Sequence, residues 1–310
     1  MSEKIGKVCI DPGHDWWAYN RSPVVSEYCE GQRMWDLALL LKEQLEDRNV
    51  TVLMTKEHVN HGVSLGTRGR MSKGYDLMVS LHSDAAAREE PDWVSALHQL
   101  DDKCGPMDAR SKEVAKRLCE AVAALMGVGT RLTFKESDWD RDGNGYRDDY
   151  YGVLRSAHTV GTPAVLIEHG FHTNEKCTRW LLDDENLLQV AITEAEVIVG
   201  WLKEVRQAEK VTFVKDIQAV IGAAVDGIPG PETICKTVTL SAKINSSHPA
   251  VQIVQQRLNA LGYTQVGKAD GIAGKKFTAA VKAFQQENGC VVDGEITAKC
   301  KTWRRLLGMA

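Results

Sequence analysis

The feature that most restricts the fold is a regular alternation of short apolar segments with amphipathic segments between residues 5 and about 205. The segments "KVCID", "VTVLMT" and "YDLMVSLHSD" are β-branched or continuously apolar, as buried strands are. Between the first two, residues 30–47 repeat apolar side chains from Met34 to Leu45 at helical spacing. Strands that alternate with helices pair mainly in parallel. The pattern therefore predicts an α/β fold, with a mostly parallel twisted sheet flanked by helices.

The same alternation continues to the end of this region. "SLGTRGRMSK" predicts a short helix and "WVSALHQL" a strand, and "ARSKEVAKRLCEAVAALMG" predicts a helix that Gly127 closes. "TPAVLIEHG" predicts another strand, followed by a long final helix over residues 186–205. The polar run "KEVRQAEK" then predicts a linker. We therefore expect two domains, at residues 1–205 and 211–310.

The last hundred residues contain an internal repeat. "VDGIPGPET" (225–233), "ADGIAGKKF" (269–277) and "VDGEIT" (292–297) each place an Asp-Gly turn ahead of a helical segment. Short helices that are joined by such turns predict a small all-α bundle as the C-terminal domain.

Composition excludes several classes of partner. The chain has 310 residues, a formal net charge of −4 and no run of about 20 apolar residues, so we expect neither nucleic-acid binding nor membrane insertion. Its first ten residues, "MSEKIGKVCI", lack the apolar core of a signal peptide. We therefore expect synthesis in the cytoplasm without a signal peptide. The eight cysteines form no C-x-x-C pair, so we expect reduced thiols that bind no metal.

One acidic loop interrupts the alternation. In "DWDRDGNGYRDD" (138–149), Asp138, Asp140 and Asp142 stand at positions 1, 3 and 5, Gly143 at position 6 and Asp149 at position 12. This spacing is close to that of an EF-hand calcium loop. Position 12 is Asp rather than the longer Glu, so a Ca²⁺ site at 138–149 and a solvated acidic turn both stay open.

Four chemically active side chains lie at the ends of predicted elements. His14 in "DPGH", His82 in "SLHSDA" and Glu168 in "VLIEHGF" end strands, where open α/β sheets bind their ligands. Glu27 or Glu30 adds a carboxylate at the start of a helix. Two imidazoles and one carboxylate are a common ligand set for catalytic zinc, and a further glutamate can act as general base. Structural histidines with ordinary hydrogen bonds are the competing interpretation.

The two glutamates of "VVSEYCEGQRMW" compete for the ligand position. Helical geometry does not separate them, because both lie near the apolar stripe if the helix begins early. Gly31 suggests that regular helix begins after it, which places Glu30 at the helix start and Glu27 in the preceding loop.

Five ordered motifs resemble the zinc-dependent N-acetylmuramoyl-L-alanine amidases. They are "DPGH", the Glu before "LALLLKEQLE", "VTVLMTKE", "SLGTRGRMSKGYDLMVSLHSDA" and "TPAVLIEHGFHTN". The resemblance extends over roughly residues 5–203. The resemblance implies that His14 and His82 are zinc ligands and that Glu168 is catalytic. The register of the family favours Glu30 over Glu27 as the third ligand, although "SEY" also resembles the "NEY" of some relatives.

Further positions match or depart from this family. Arg68 matches an arginine of the short helix, for which we expect a structural role, and Phe171 and Asn174 match a "GF..N" signature. Ser83 and Asp84 follow His82 where the family often has "HaN". The loop at 138–149 looks inserted.

The C-terminal region resembles a helical peptidoglycan-binding domain. Residues 248–307 cover one full copy, and a weaker partial copy occupies about 213–238. We therefore expect a cell-wall hydrolase that cleaves the amide between N-acetylmuramic acid and L-alanine, with peptidoglycan as partner. The expected biological role is that of an endolysin that is released to the wall. An autolysin that is exported by another route is the alternative role. The competing functions are a zinc peptidase or deacetylase acting on peptidoglycan and a non-catalytic wall-binding protein.

Overall fold

The chain divides into two compact units, Met1–Lys203 and Glu204–Ala310. The computed structural model describes residues 4–87, 91–100, 106–141, 145 and 147–309. The division falls inside one helix, Asp184–Ile221. The prediction of a linker at 203–210 and of a helix ending at 205 was therefore wrong. The polar run consists of good helix formers, and propensity of this kind permits a helix to continue where composition alone suggests a loop.

A single mixed sheet organises the described part of the first unit. Its strands, in chain order, are β1 (Gly6–Pro12), β2 (Val50–Met54), β3 (Leu77–Asp84), β4 (Trp93–His98), β5 (Gly129–Thr133) and β6 (Ala164–Phe171). They lie in the order β2-β1-β3-β6-β4-β5. Every pair of neighbours is parallel except β4 and β6, which are antiparallel. The predicted α/β fold with a mostly parallel sheet is confirmed.

The direction of β4 follows from the length of its connection. Only the eight residues 85–92 separate β3 from β4. A parallel crossover needs roughly a dozen residues or more, so a strand reached this way is expected to run in the opposite direction. β5 follows a helix of 21 residues and lies parallel to β4.

Helices cover this sheet. They are α1 (Glu30–Asp47), α2 (Leu65–Met71), α3 (Pro106–Met126), α4 (Gly152–His158), α5 (Glu175–Leu182) and the part of α6 (Asp184–Ile221) that precedes Glu204. α1 buries the predicted stripe, and α3 ends at Met126, directly before Gly127, whose φ is +68°. Sequence patterns missed β5, α4 and α5, because β5 is a largely exposed edge strand and the two helices are short. Within the described residues, none of the helices combines the length and apolarity that crossing a bilayer requires.

A buried ion pair joins α2 to the carboxyl end of β1. Arg68 Nε donates to Asp11 Oδ1 at 2.6 Å and Arg68 Nη2 donates to Asp11 Oδ2 at 2.7 Å. Arg68 Nη2 also donates to the Pro12 carbonyl at 3.0 Å. Burial alone would raise the pKa of Asp11, but the Arg68 charge and hydrogen bonds from surrounding groups hold it below its ordinary value. This geometry agrees with the structural role expected for Arg68.

Replacing Arg68 with Met is expected to lower the free energy of unfolding at neutral pH by about 3–5 kcal/mol, because the buried Asp11 carboxylate loses its partner. In the wild type, the depressed pKa of Asp11 contributes stability above about pH 4, which is lost as the pH falls through the folded-state pKa. In the variant, Asp11 takes up a proton more readily. Urea unfolding should therefore show a difference between the two proteins that narrows from about pH 7 to about pH 4. A pH-independent difference would contradict this assignment.

The second unit is a small helical bundle, as predicted. Besides the C-terminal part of α6 it contains α7 (Pro231–Lys236), α8 (Pro249–Ala260), α9 (Lys275–Glu287) and α10 (Lys301–Leu306). Phe277 and Trp303 are fully buried in its core, and Trp303 Nε1 donates to the Val238 carbonyl at 2.8 Å.

A repeated glutamine clamp holds the three Asp-Gly turns. A glutamine Nε2 on the preceding helix donates to the Asp Oδ1 of each turn, from Gln218 to Asp226 at 2.7 Å, from Gln255 to Asp270 at 2.9 Å and from Gln285 to Asp293 at 2.8 Å. The next glycine N–H donates back to the same glutamine in all three turns, at 2.9, 2.8 and 2.9 Å. The internal repeat of the sequence is therefore a repeat in three dimensions, and the segment at 213–238 shares it.

Candidate metal centre and active site

Three neighbouring strands bring the predicted residues to one edge of the sheet. His14 follows the end of β1, while His82 and Glu168 lie near the ends of β3 and β6. His82 and Glu168 are register partners in the parallel ladder, so their side chains project from the same face. His14, His82, Glu168 and Glu30 all line one cleft of about 580 Å³.

His14, Glu30 and His82 form a compact cluster. One potential ligand atom from each residue lies within 4.8 Å of the other two. His14 Nε2 is 3.0 Å from Glu30 Oε2, and His82 Nδ1 is 3.0 Å from Glu30 Oε1. Within the described residues this is the one group of three or more His, Cys, Asp or Glu side chains with such geometry.

Glu30 and Glu27 have different environments. Glu30 is 1% exposed and accepts hydrogen bonds from Asn20 Nδ2 at 2.7 Å and from the Ser83 N–H at 3.1 Å. Burial would raise the pKa of Glu30, but the two neighbouring imidazoles lower it well below its ordinary value. Glu27 is exposed and accepts from the hydroxyl of the adjacent Ser26 at 3.1 Å. The structure therefore brings Glu30, and not Glu27, to the two histidines.

The start of α1 corrects the expected role of Gly31. The helix begins at Glu30 and includes Gly31, so this glycine does not precede the regular helix. A Cβ at Gly31 would lie 2.0 Å from the Trp16 carbonyl oxygen, which explains the glycine by close approach rather than by helix breaking. The Asn20 and Tyr19 carbonyls accept hydrogen bonds from the N–H groups of Glu30 and Gly31, each at 3.1 Å. The loop thus caps the helix that carries Glu30.

His14 and His82 are held by close backbone contacts. His14 has φ +57°, a conformation that costs energy in most non-glycine residues and that recurs at functional sites. The buried Lys56 ammonium donates to the His14 carbonyl. A Cβ at Gly13 would lie 2.5 Å from the Leu81 carbonyl oxygen and 2.8 Å from the His82 ring, so only glycine fits at that position without a shift.

Replacing Gly13 with Ala is expected to displace the His82 ring and to lower metal affinity by at least about tenfold, since shifts of ligand-orienting groups have effects of this size. Zinc titration of the metal-free variant would measure the change. Gly74→Ala provides a control of the same residue type, because an added Cβ there meets nothing within 4 Å. Because Gly74 has positive φ, the Gly74→Ala protein should lose some stability, but it should keep its metal affinity. Unchanged affinity in Gly13→Ala would refute the close-packing argument.

Two further histidines support the backbone around His82. His169 Nδ1 lies 2.9 Å from the His82 carbonyl oxygen, and its Nε2 lies 3.0 Å from Glu194 Oε1 in a fully buried pair. His172 Nδ1 lies 3.0 Å from the Ser83 carbonyl oxygen. Neither belongs to the cluster. Both hold the end of β3, which positions the His82 ring.

Glu168 faces the cluster from the neighbouring strand. Its Oε2 atom is buried and has no hydrogen-bond partner in the part of the chain that the structure describes. Burial, followed by the negative charges of Glu30 and Asp84, raises the pKa of Glu168 well above its ordinary value. A carboxylate whose proton affinity is raised in this way suits proton transfer at neutral pH.

Motif analysis did not find four residues that shape the cleft. Asn20 contacts Glu30, Tyr19 stacks on the His14 ring with centroids 4.3 Å apart, and Lys56 contacts the His14 carbonyl. Tyr151 lines the cleft, and burial together with the Glu168 charge raises the pKa of its hydroxyl to about 12. Asn20, Tyr19 and Tyr151 lie outside the quoted motifs and Lys56 lies within "VTVLMTKE", but spacing in sequence carries no signal for contacts formed by folding.

The acidic loop at 138–149 is only partly described. Asp142 and Gly143, which the calcium prediction requires, lie outside the described residues. Asp140 Oδ2 accepts from the Gly145 N–H at 2.9 Å, and the buried Asp149 accepts from the Leu100 N–H at 3.1 Å. Both carboxylates therefore bind backbone groups, which is the behaviour of a structural turn. The Ca²⁺ site stays a prediction without support.

The donor set fits zinc. Two imidazole nitrogens and one carboxylate are a usual set of three protein ligands at catalytic zinc sites, where a fourth position is left for water or substrate. Calcium and magnesium prefer oxygen donors and fit less well. The Ser83 N–H and the Asn20 amide bind the Glu30 carboxylate, as supporting groups do around metal ligands.

Known families match both parts of the sequence. A family model described as N-acetylmuramoyl-L-alanine amidase matches residues 8–199. A second family model, described as a peptidoglycan binding domain, matches residues 247–306. No curated protein gives a significant match.

Solved structures share the fold of the first unit. An N-acetylmuramoyl-L-alanine amidase from Clostridium difficile 630 has a TM-score of 0.53 and 20% identity, over 65% of this chain and 98% of that one. The catalytic domain of CwlV, an N-acetylmuramoyl-L-alanine amidase from Bacillus (Paenibacillus) polymyxa, has a TM-score of 0.51 and 20% identity. This match covers 64% of the present chain and 98% of the CwlV domain. Cwp6 from Clostridium difficile has a TM-score of 0.52 and 24% identity over 64% of this chain, but the match spans only 29% of Cwp6.

Proposed function

The chain belongs to the N-acetylmuramoyl-L-alanine amidase family, and from this premise we propose that it is a zinc enzyme whose general base is Glu168. Its substrate is the amide between the lactyl group of N-acetylmuramic acid and L-alanine in peptidoglycan. The peptidoglycan-binding match at residues 247–306 supports the same polymer independently. The main support for this mechanism is that His82 and Glu168 are register partners on the neighbouring strands β3 and β6, because this pairing places Glu168 beside the cluster of His14, Glu30 and His82.

His14, Glu30 and His82 would hold the zinc ion. When bound, zinc supplies Lewis-acid chemistry, which activates water and polarises a carbonyl. The Asn20 amide and the Ser83 N–H fix the Glu30 carboxylate between the two imidazoles. The buried His169–Glu194 pair fixes the backbone of His82. These residues therefore preorganise the site before substrate enters.

Glu168 moves the proton in the proposed reaction. Its carboxylate accepts a proton from the attacking water as the new C–O bond forms. It then donates this proton to the alanine nitrogen as the C–N bond breaks, so that a neutral amine leaves. The raised pKa of Glu168 favours the first step, because it increases the proton affinity of the carboxylate.

Mass analysis of digested peptidoglycan tests this function. The expected products are glycan strands with free lactyl carboxyl groups and stem peptides with a new N-terminal alanine. New peptide ends within the stem would indicate a peptidase, and loss of acetyl groups alone would indicate a deacetylase. Binding to walls without any cleavage, in protein loaded with zinc, would indicate a non-catalytic wall-binding protein.

The endolysin role is a separate part of the proposal. The pairing of an amidase domain with a wall-binding domain supports a bacteriolytic enzyme that acts on intact wall. Purified full-length protein should lower the turbidity of bacteria whose outer surface exposes peptidoglycan. Cleavage of soluble fragments without lysis of whole cells would contradict the bacteriolytic role and leave the amidase chemistry intact.

A further inference from the structure

Exposed aromatic side chains follow the first histidine of the cluster. Trp16, Trp17 and Tyr19 are 52%, 41% and 45% exposed, although aromatic residues of this size usually bury most of their surface. The two indole rings pack edge to face with centroids 6.0 Å apart. Contiguous exposed apolar surface of this kind is characteristic of binding sites.

The backbone that carries these rings is held at several points. The Trp17 N–H donates to Asn60 Oδ1 at 3.1 Å, and the Tyr19 N–H donates to the Trp16 carbonyl at 3.1 Å. The Tyr19 carbonyl accepts from the first turn of α1, and the Trp16 carbonyl lies against Gly31. The rings are therefore presented to solvent by an anchored loop, which reduces the entropy lost when a ligand binds.

Tyr19 connects the aromatic loop to the cleft. The Tyr19 ring stacks on the His14 ring with an interplanar angle of 15°, and Tyr19 lines the cleft together with Glu30 and Glu168. Trp16 and Trp17 lie on the same loop, between His14 and Tyr19 in the sequence. A ligand that binds in the cleft over Tyr19 therefore lies next to the loop that carries the two indole rings.

The chemistry of the substrate identifies the occupant. The amide that is cleaved is attached through one lactyl group to a sugar ring, so the sugar lies beside the cluster during the reaction. Pyranose rings expose apolar C–H faces flanked by hydroxyl groups. Tryptophan and tyrosine offer a flat apolar face together with a polar atom and so match that pattern. The stem peptide extends from the other side of this amide.

From these observations we propose that Trp16, Trp17 and Tyr19 form a binding site for the glycan strand of peptidoglycan. This inference rests on the proposed function for the position of the sugar. The site selects substrates in which the muramic acid belongs to a longer glycan, because neighbouring sugars then reach Trp16 and Trp17.

The test compares two substrates that carry the same stem peptide. One is a single N-acetylmuramic acid with its peptide, and the other is a glycan of several disaccharide units. In the full-length Trp16→Ala/Trp17→Ala protein, the ratio of kcat/KM for the long substrate over the short one should fall by about tenfold or more. The Trp16→Phe/Trp17→Phe protein should recover most of the ratio. Trp139→Ala, which removes another exposed tryptophan, should leave the ratio unchanged.

When the wild type cleaves both substrates, every other outcome of this comparison overturns the proposal. An unchanged ratio in the Ala variant, or equal losses on both substrates, would exclude a glycan site at the tryptophans. Loss of binding to anionic lipid vesicles with an unchanged ratio would assign the rings to a membrane surface. If the wild type cleaves neither substrate, the proposed function fails separately. In that case, calorimetry with peptide-free glycan would still test the proposal. The Trp16→Ala/Trp17→Ala protein should bind this glycan more weakly than the wild type, and equal affinity would overturn the proposal.

Discussion

Glu168→Gln is expected to keep the metal content of the wild type and to lose about 10²- to 10⁴-fold of kcat, the usual contribution of a positioned general base. Glutamine preserves the size of the side chain but cannot accept and return a proton. Glu168 lies outside the His14, Glu30 and His82 cluster, so zinc should still bind. Release of N-terminal alanine measures kcat, and elemental analysis of dialysed protein measures zinc.

Glu27→Gln is the matched control for this variant. It makes the same chemical change at an exposed carboxylate on the loop before α1, and it should leave both kcat and zinc content unchanged. If Glu168→Gln hydrolysed the substrate at the wild-type rate, the assignment of Glu168 as general base would be wrong. Loss of zinc together with activity would instead place Glu168 among the ligands.

The second large effect is expected when Glu30 is changed. Glu30→Gln should lower zinc affinity by more than about a hundredfold and abolish hydrolysis with it, because even groups that only support a metal ligand contribute about 10- to 100-fold. The carboxylate is almost fully buried and lies 3.0 Å from each of two imidazole nitrogens. Zinc titration of metal-free protein, followed by an activity assay at saturating zinc, separates lost affinity from lost chemistry.

A side-by-side measurement on Glu27→Gln tests the choice between the two glutamates. The exposed Glu27 carboxylate contacts the neighbouring Ser26 hydroxyl, so its removal should change zinc affinity by less than a factor of about two. The assignment of Glu30 would be wrong if Glu27→Gln released the metal and Glu30→Gln retained it. Thermal unfolding of both apo variants checks that each protein is folded.

Much of the fold was predictable because its signals are local. The apolar stripe of α1, the continuous apolar runs of β3 and β6 and the Gly127 end of α3 each follow from residues close in sequence. Asp-Gly turns likewise predicted the repeats of the second unit. The polar run at 203–210 failed as a linker signal, because its residues are compatible with both helix and loop.

The candidate ligands could be named from sequence only with the help of a resemblance. Spacing alone left Glu27 and Glu30 open, since both stand near one helix face. Their separation depends on the loop before α1, whose Tyr19 and Asn20 carbonyls cap the helix and whose Asn20 amide binds Glu30. None of these contacts has a fixed offset in the sequence.

The chemical groups of this protein, the positions of most of its strands and helices, and the two families that it resembles follow from the sequence alone. Only the tertiary structure decided that the Glu30 carboxylate lies between His14 and His82 and that Glu168 faces them from the next strand. It also decided that Gly13 and Gly31 are needed for close approach rather than for chain flexibility. The reason is that periodicity is encoded by neighbours along the chain, whereas a site of this kind depends on sheet register and loop packing between residues as far apart as His14 and Glu168, 154 positions.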